Sequence, residues 1–151
     1  FIVGTGEKIP FNNNSFDAIS SLLVFSYVKD PQAMLNESYR VLKPGGVISI
    51  CTLGKKLITR GIPAIYQLGE KMNVKHVVMK DFGEHYYDED EMIRLFAQAG
   101  FSEIDVCWCS FAHIDMIDPL FNFAQKVEPF IEKRVPQLAY NICVSGKKLV
   151  E

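Results

Sequence analysis

Asp30-Pro31-Gln32-Ala33-Met34-Leu35-Asn36-Glu37-Ser38-Tyr39-Arg40-Val41-Leu42, followed by Lys43-Pro44-Gly45-Gly46 and then Val47-Ile48-Ser49-Ile50-Cys51-Thr52-Leu53, is the stretch that decides the fold. Asp30 can accept a hydrogen bond from the unpaired N–H groups of a first helical turn, and Pro31 suits the first helical position. Met34, Leu35, Ser38, Tyr39 and Leu42 recur at helical spacing and give that helix an apolar face. Pro44 cannot continue it, and Gly45-Gly46 tolerate a tight turn, so the helix is expected to stop at residues 43–46. Val47–Leu53 then reads as a buried strand. Upstream, Phe16–Val24 reads as another strand, with an apolar end suited to a sheet covered on both faces. Strand, helix and strand joined by short turns form a right-handed βαβ unit.

Working outward, Asn12-Asn13-Asn14-Ser15 is turn chemistry, and Phe1-Ile2-Val3 stops at Gly4 like the end of a buried strand. Asp88, with Glu91 three residues on, forms the pattern of a capping box. The helix it opens carries Met92, Ile93, Leu95, Phe96 and Ala99 on its apolar side and ends at Gly100. Strands are expected at Phe101–Ser110 and Ala139–Ser145, and a helix at Pro119–Lys133 through Leu120, Phe123, Ala124, Val127 and Ile131. Residues 54–83 are less periodic; a helix over Ile62–Met72 fits them in part.

Bulk properties narrow the function classes. The 151 residues have a formal net charge of -2, 48% hydrophobic residues and no basic stripe, which disfavours nucleic acid as a partner. Apolar runs such as Leu22–Phe25 and Val47–Ile50 are far too short to span a bilayer, and no signal peptide is visible, so a cytoplasmic protein without a membrane span is expected. Cys51, Cys107, Cys109 and Cys143 form no Cys-x-x-Cys pair. They are read as reduced, buried small residues, with Cys107 and Cys109 on one strand face. His76, His85 and His113 are scattered without ligand spacing, and no metal site is expected.

Three segments in order carry a resemblance: Gly4-Thr5-Gly6-Glu7-Lys8-Ile9-Pro10-Phe11 with Asn14-Ser15-Phe16-Asp17-Ala18-Ile19, then Val28-Lys29-Asp30-Pro31, then Glu37 through Gly46. Their order and spacing resemble class I S-adenosylmethionine-dependent methyltransferases of the kind that methylate quinone precursors and other small molecules. The clear part covers residues 1–53, and Asn141–Lys148 resembles the family's last strand. The resemblance implies an α/β, doubly wound, Rossmann-like sheet, here incomplete with strands three to seven, the last strand antiparallel and inserted beside the fifth. Residues 1–151 would form one partial domain, with inserts or lids at 54–87 and 111–138. Strand one with its glycine-rich turn and strand two with its acidic end would be absent. The edge of strand four would then be bare, which invites pairing with a second chain, as in a homodimer.

For the site, the resemblance implies S-adenosylmethionine as cofactor and a small-molecule substrate. The cofactor would meet Thr5, Gly6 and Glu7 beyond strand three, backbone at Ser21, Leu22 and Leu23 beyond strand four, and Tyr27. Family members usually carry Asp at the position of Thr5, whose hydroxyl is a weaker acceptor for the adenine amino group. They often have His near Ser26-Tyr27, where this chain has none. Phe25, Tyr66, His85 and Tyr86 are the candidate acceptor-side residues, and Phe121, Phe123 and Phe130 suit a lid over an apolar substrate. No catalytic constellation is expected, because aligning an activated methyl group with its acceptor asks little of side chains. The alternative is a degenerate, non-catalytic methyltransferase fold serving as a binding or partner subunit.

Overall fold

The computed structural model describes residues 2–55, 84–109, 118–134 and 139–150. Its elements are β1 (Phe16–Leu22), a 3-10 turn (Phe25–Tyr27), α1 (Pro31–Val41), β2 (Leu42–Leu53), α2 (Glu89–Gln98), β3 (Phe101–Cys109), α3 (Asp118–Arg134) and β4 (Asn141–Lys148). The sheet order is β1-β2-β4-β3. β1 and β2 run parallel, as the βαβ reading requires, and β4 lies antiparallel between β2 and β3. This is the expected mixed α/β sheet, partial and with its reversed last strand. The carboxyl ends of β1, β2 and β3 therefore meet along one edge of the sheet.

Both expected helix caps form. The Asp30 carboxylate accepts from Ala33 N at 2.9 Å, with Pro31 in the first turn, and Asp88 accepts from Glu91 N at 2.8 Å. Met34, Leu35, Ser38 and Val41 of α1 and Met92 and Phe96 of α2 are buried against one face of the sheet. That face presents Ile48, Ile50 and Thr52 from β2 and Ile142 and Val144 from β4, all essentially inaccessible. Tyr39 packs edge-on to Phe101 with ring centroids 5.1 Å apart, and Gly146 lets Phe96 lie close to β4, where an added Cβ would sit 2.9 Å from its ring.

Several expectations are corrected. Ile2 and Val3 lie in no strand, and Val3 is fully exposed; a short apolar run becomes a strand only where a neighbouring ladder receives its backbone groups. Lys43-Pro44-Gly45-Gly46 is not a turn between helix and strand. α1 ends at Val41, and the four residues are absorbed as an irregularity in β2, where pairing jumps from Phe16↔Leu42 to Ala18↔Val47. Gly45 takes φ 79 there, and an added Cβ at Gly46 would meet Lys43 O at 2.8 Å. β1 stops at Leu22 and, among the described residues, is not covered on both faces: Leu22 is 69% exposed. Among the described residues, α1 and α2 pack on one face only. The cysteines belong to the other face, so Cys107 is exposed and Cys51, Cys109 and Cys143 are half-buried rather than buried. Within α3, Ala124 is buried while Phe123 and Phe130 are exposed. No helix among the described residues is long and apolar enough to cross a membrane.

Candidate functional site

Two polar corners bracket β1, one ahead of its start and one beyond its end. The first joins residues 4–13 to α1. Arg40 donates to Glu37 at 2.7 and 2.8 Å, to Ile9 O at 2.9 Å, to Phe11 O at 2.8 Å and to Asn13 Oδ1 at 2.9 Å, while Ile9 N donates to Glu37 at 3.0 Å. The bond from Arg40, followed by that from Ile9 N, holds the Glu37 carboxyl down at about 2. One guanidinium with five donors thus fixes the path of the whole loop. Thr5, Glu7 and Lys8 line an open groove of about 630 Å³ together with Glu37 and Arg40. Gly6 lies against α1: an added Cβ would sit 2.9 Å from Met34 Sδ.

The second corner begins where β1 ends. Leu23 donates to Cys51 O at 2.7 Å and holds φ 58, a left-handed conformation that a branched side chain rarely adopts. This unusual backbone falls among Ser21, Leu22 and Leu23. The chain then tightens into Phe25–Tyr27. A buried hydroxyl pair, Ser26 with Thr52 at 2.7 Å, pins that turn to β2, and Leu53 N also donates to Ser26 Oγ at 3.2 Å. Residues 84–87 are stitched to the same place: His85 N donates to Ser26 O at 2.8 Å, Tyr87 N to Leu53 O at 3.0 Å and Lys55 N to Tyr87 O at 2.7 Å.

This backbone stitching gathers a set of titratable side chains. Tyr27 donates to Glu84 at 2.6 Å and Tyr86 donates to the other oxygen of the same carboxylate at 3.1 Å. The Glu84 bond, more than burial or charge, raises the Tyr27 phenol above its ordinary value. His85 Nε2 lies 2.9 Å from Glu91, whose second oxygen accepts from Lys55 at 2.8 Å. Burial alone would raise Glu91, but the bonds from Lys55 and His85 prevail and hold it below the usual carboxylate range. Tyr87 is fully buried and tilted against Phe25 with ring centroids 5.1 Å apart; its phenol is pushed up to about 12 by burial and by the Glu91 charge. Glu91 therefore does more than complete a helix cap: its carboxylate serves His85 and Lys55.

Of the residues singled out by sequence, Phe25, Tyr27, His85 and Tyr86 are brought together at this second corner, Phe25 as a buried packing residue and the other three in the polar network. Thr5 and Glu7 line the first groove, and Gly6 lies beside it against Met34. Tyr66 is outside the described residues. Glu37, Arg40, Lys55, Glu84 and the Ser26–Thr52 pair were missed. Arg40 and Glu37 fall three apart on a helix, which is a readable ion-pair spacing; the others meet only through long-range pairing of β1 with β2 and of residues 84–87 with Ser26 and the end of β2.

Comparison with known proteins converges on one family. The profile described as Methyltransferase domain matches residues 1–50. A demethylmenaquinone methyltransferase of Renibacterium salmoninarum is 27% identical over 115 residues, which cover 69% of this chain and 48% of that protein. The chain thus spans about half the length of the curated relatives it matches. Among solved structures, a Thermotoga maritima S-adenosylmethionine-dependent methyltransferase, described as a possible histamine N-methyltransferase, superimposes with a TM-score of 0.65 at 25% identity, covering 96% of this chain and 62% of that one. A Haemonchus contortus phosphoethanolamine N-methyltransferase, solved with S-adenosylhomocysteine, shares the fold with a TM-score of 0.58 at 16% identity, covering 99% and 37%. The matched N-terminal segment, these relatives and the reversed last strand agree: the chain is similar to class I S-adenosylmethionine-dependent methyltransferases and shares their fold, and S-adenosylmethionine is the cofactor of those proteins.

Proposed function

We propose that the protein methylates a small aromatic acceptor of the quinone-precursor class, the class to which the name of the Renibacterium relative refers. The observation that carries this reading is the polar network of Tyr27, Glu84, Tyr86, His85 and Glu91, assembled beyond the ends of β1 and β2, where doubly wound sheets bind ligands. When bound, S-adenosylmethionine supplies an activated sulfonium methyl group for in-line displacement.

The chain's own residues then have distinct tasks. Thr5 offers a hydroxyl to the adenine amino group, Gly6 leaves its backbone accessible, and Glu7 lines the same groove. The left-handed Leu23 turns the backbone of Ser21–Leu23 across the end of β1, where the methionine part of the cofactor would lie. Tyr27 and Tyr86, locked by Glu84, form a rim for a flat acceptor, with Phe25 fixing the turn from beneath. With Nε2–H donated to Glu91, His85 keeps Nδ1 as its basic nitrogen and can take the proton that a phenolic or carbon acid loses on methylation. Phe123 and Phe130, exposed on α3, suit a cover for an apolar acceptor.

Titration calorimetry of S-adenosylhomocysteine into the full-length protein tests this assignment. Micromolar binding that tightens with Thr5→Asp supports it. No binding by either form would favour the non-catalytic reading.

A further inference from the structure

Away from the network just described, on the face of the sheet opposite α1 and α2, Cys51 of β2, Cys109 of β3 and Cys143 of β4 converge. Cys51 is paired with Cys143 across the β2–β4 ladder, and Cys109 stands opposite Asn141, two residues along β4. The Cys51 and Cys109 sulfurs are 3.9 Å apart, those of Cys109 and Cys143 are 3.1 Å apart, and all three lie within 4.8 Å of one another. We propose that these three thiols form a binding site for one zinc ion, with solvent in the fourth position.

The geometry fits the metal. At a zinc–sulfur distance of about 2.3 Å, tetrahedral thiolates stand roughly 3.8 Å from each other, so the Cys51–Cys109 separation is already right. The Cys109–Cys143 pair has to open by less than about 1 Å, which side-chain rotation on a half-buried surface allows. Soft sulfur donors without carboxylates select zinc or copper(I) over hard cations. Each ligand comes from a different strand, so the ion would clamp β2, β4 and β3 together near their shared edge. Binding replaces each thiol proton with a metal–sulfur bond and releases the proton to solvent. Cys107 lies on the same face, opposite Cys143, but outside the three-sulfur cluster, and it serves as the internal control.

The test is a zinc titration of the reduced, metal-free full-length protein in competition with a chromophoric chelator, with cobalt(II) as the optical probe. The expected result is about one equivalent bound, thiolate-to-cobalt charge-transfer bands and the visible bands of tetrahedral cobalt. Cys109→Ser is expected to weaken zinc binding at least about 100-fold while retaining native circular dichroism, and Cys107→Ser to leave it unchanged. Should Cys109→Ser misfold, Cys51→Ser gives the same comparison from another strand. Substoichiometric uptake, cobalt spectra without thiolate bands, or undiminished binding by folded Cys109→Ser and Cys51→Ser would overturn the proposal. So would a reduced protein that takes up no zinc and instead forms a Cys109–Cys143 disulfide in air. None of these readouts involves cofactor binding or methyl transfer, so the zinc site stands or falls separately from the proposed activity.

Discussion

Alternate residues of β2 have different fates. Ile48, Ile50 and Thr52 point into the layer between sheet and helices and are inaccessible, whereas Val47 is 47% exposed and Ser49 is exposed on the opposite face. The alternation is the ordinary two-residue period of a strand, but the two faces do different work. The covered face holds the fold through close packing with α1 and α2. The other face carries the cysteine cluster, and the Tyr27–Glu91 network lies beyond the end of β1. Packing dominates stability, while the proposed ligand contacts fall on residues outside that packed layer.

Substitutions can break this division or sharpen it. Ile50→Ala should be the most destabilising, by about 2–5 kcal/mol in urea unfolding, because it leaves a cavity in a filled layer. Ser49→Ala, one residue away, should stay within about 0.5 kcal/mol. An equal loss at both positions would dissolve the contrast. Thr52→Val tests the polar exception on the covered face. It removes the hydroxyl partner of buried Ser26 and should cost about 1–3 kcal/mol in the same assay. Asp30→Ala, which deletes the α1 cap, should cost about 1 kcal/mol.

At the edge, the expected effects are functional. His85→Gln should lower kcat for methyl transfer by about 10²-fold, with unfolding unchanged. A drop confined to KM would demote His85 from base to acceptor contact. The smallest effect is the acid response of the first corner. The folded-state pKa of Glu37, about 2, is depressed, so its contribution to stability is present above the ordinary carboxylate value and is lost as pH falls from there towards 2. Between those limits Glu37→Gln should lose less Tm than the parent protein; identical acid slopes would show that the Arg40 pairing adds nothing.

How much of this was legible depended on how local the cause was. Asp30-Pro31 and Asp88 announced their helices because a cap acts within one turn. The position of β4 came through the resemblance rather than through the residues themselves, since nothing in Asn141–Lys148 says which strands it will join. Lys43–Gly46 misled because turn residues can also serve an irregular strand start. The apolar end of β1 misled because burial is decided by what covers the sheet. Cys51, Cys109 and Cys143 lie 58 and 34 residues apart in sequence, and only the β2-β4-β3 order brings them together. Tyr27 and Glu84, 57 apart, meet because residues 84–87 bond to Ser26 and to the end of β2.

The central claim is that the cofactor spans the Thr5–Glu7 groove and the backbone at the end of β1. Amide hydrogen exchange of the full-length protein with and without saturating S-adenosylhomocysteine tests it most directly. Slower exchange concentrated at residues 5–7 and 21–24, with β3 and β4 unaffected, is the predicted result. Saturable binding that leaves both segments unprotected and slows exchange elsewhere would contradict it.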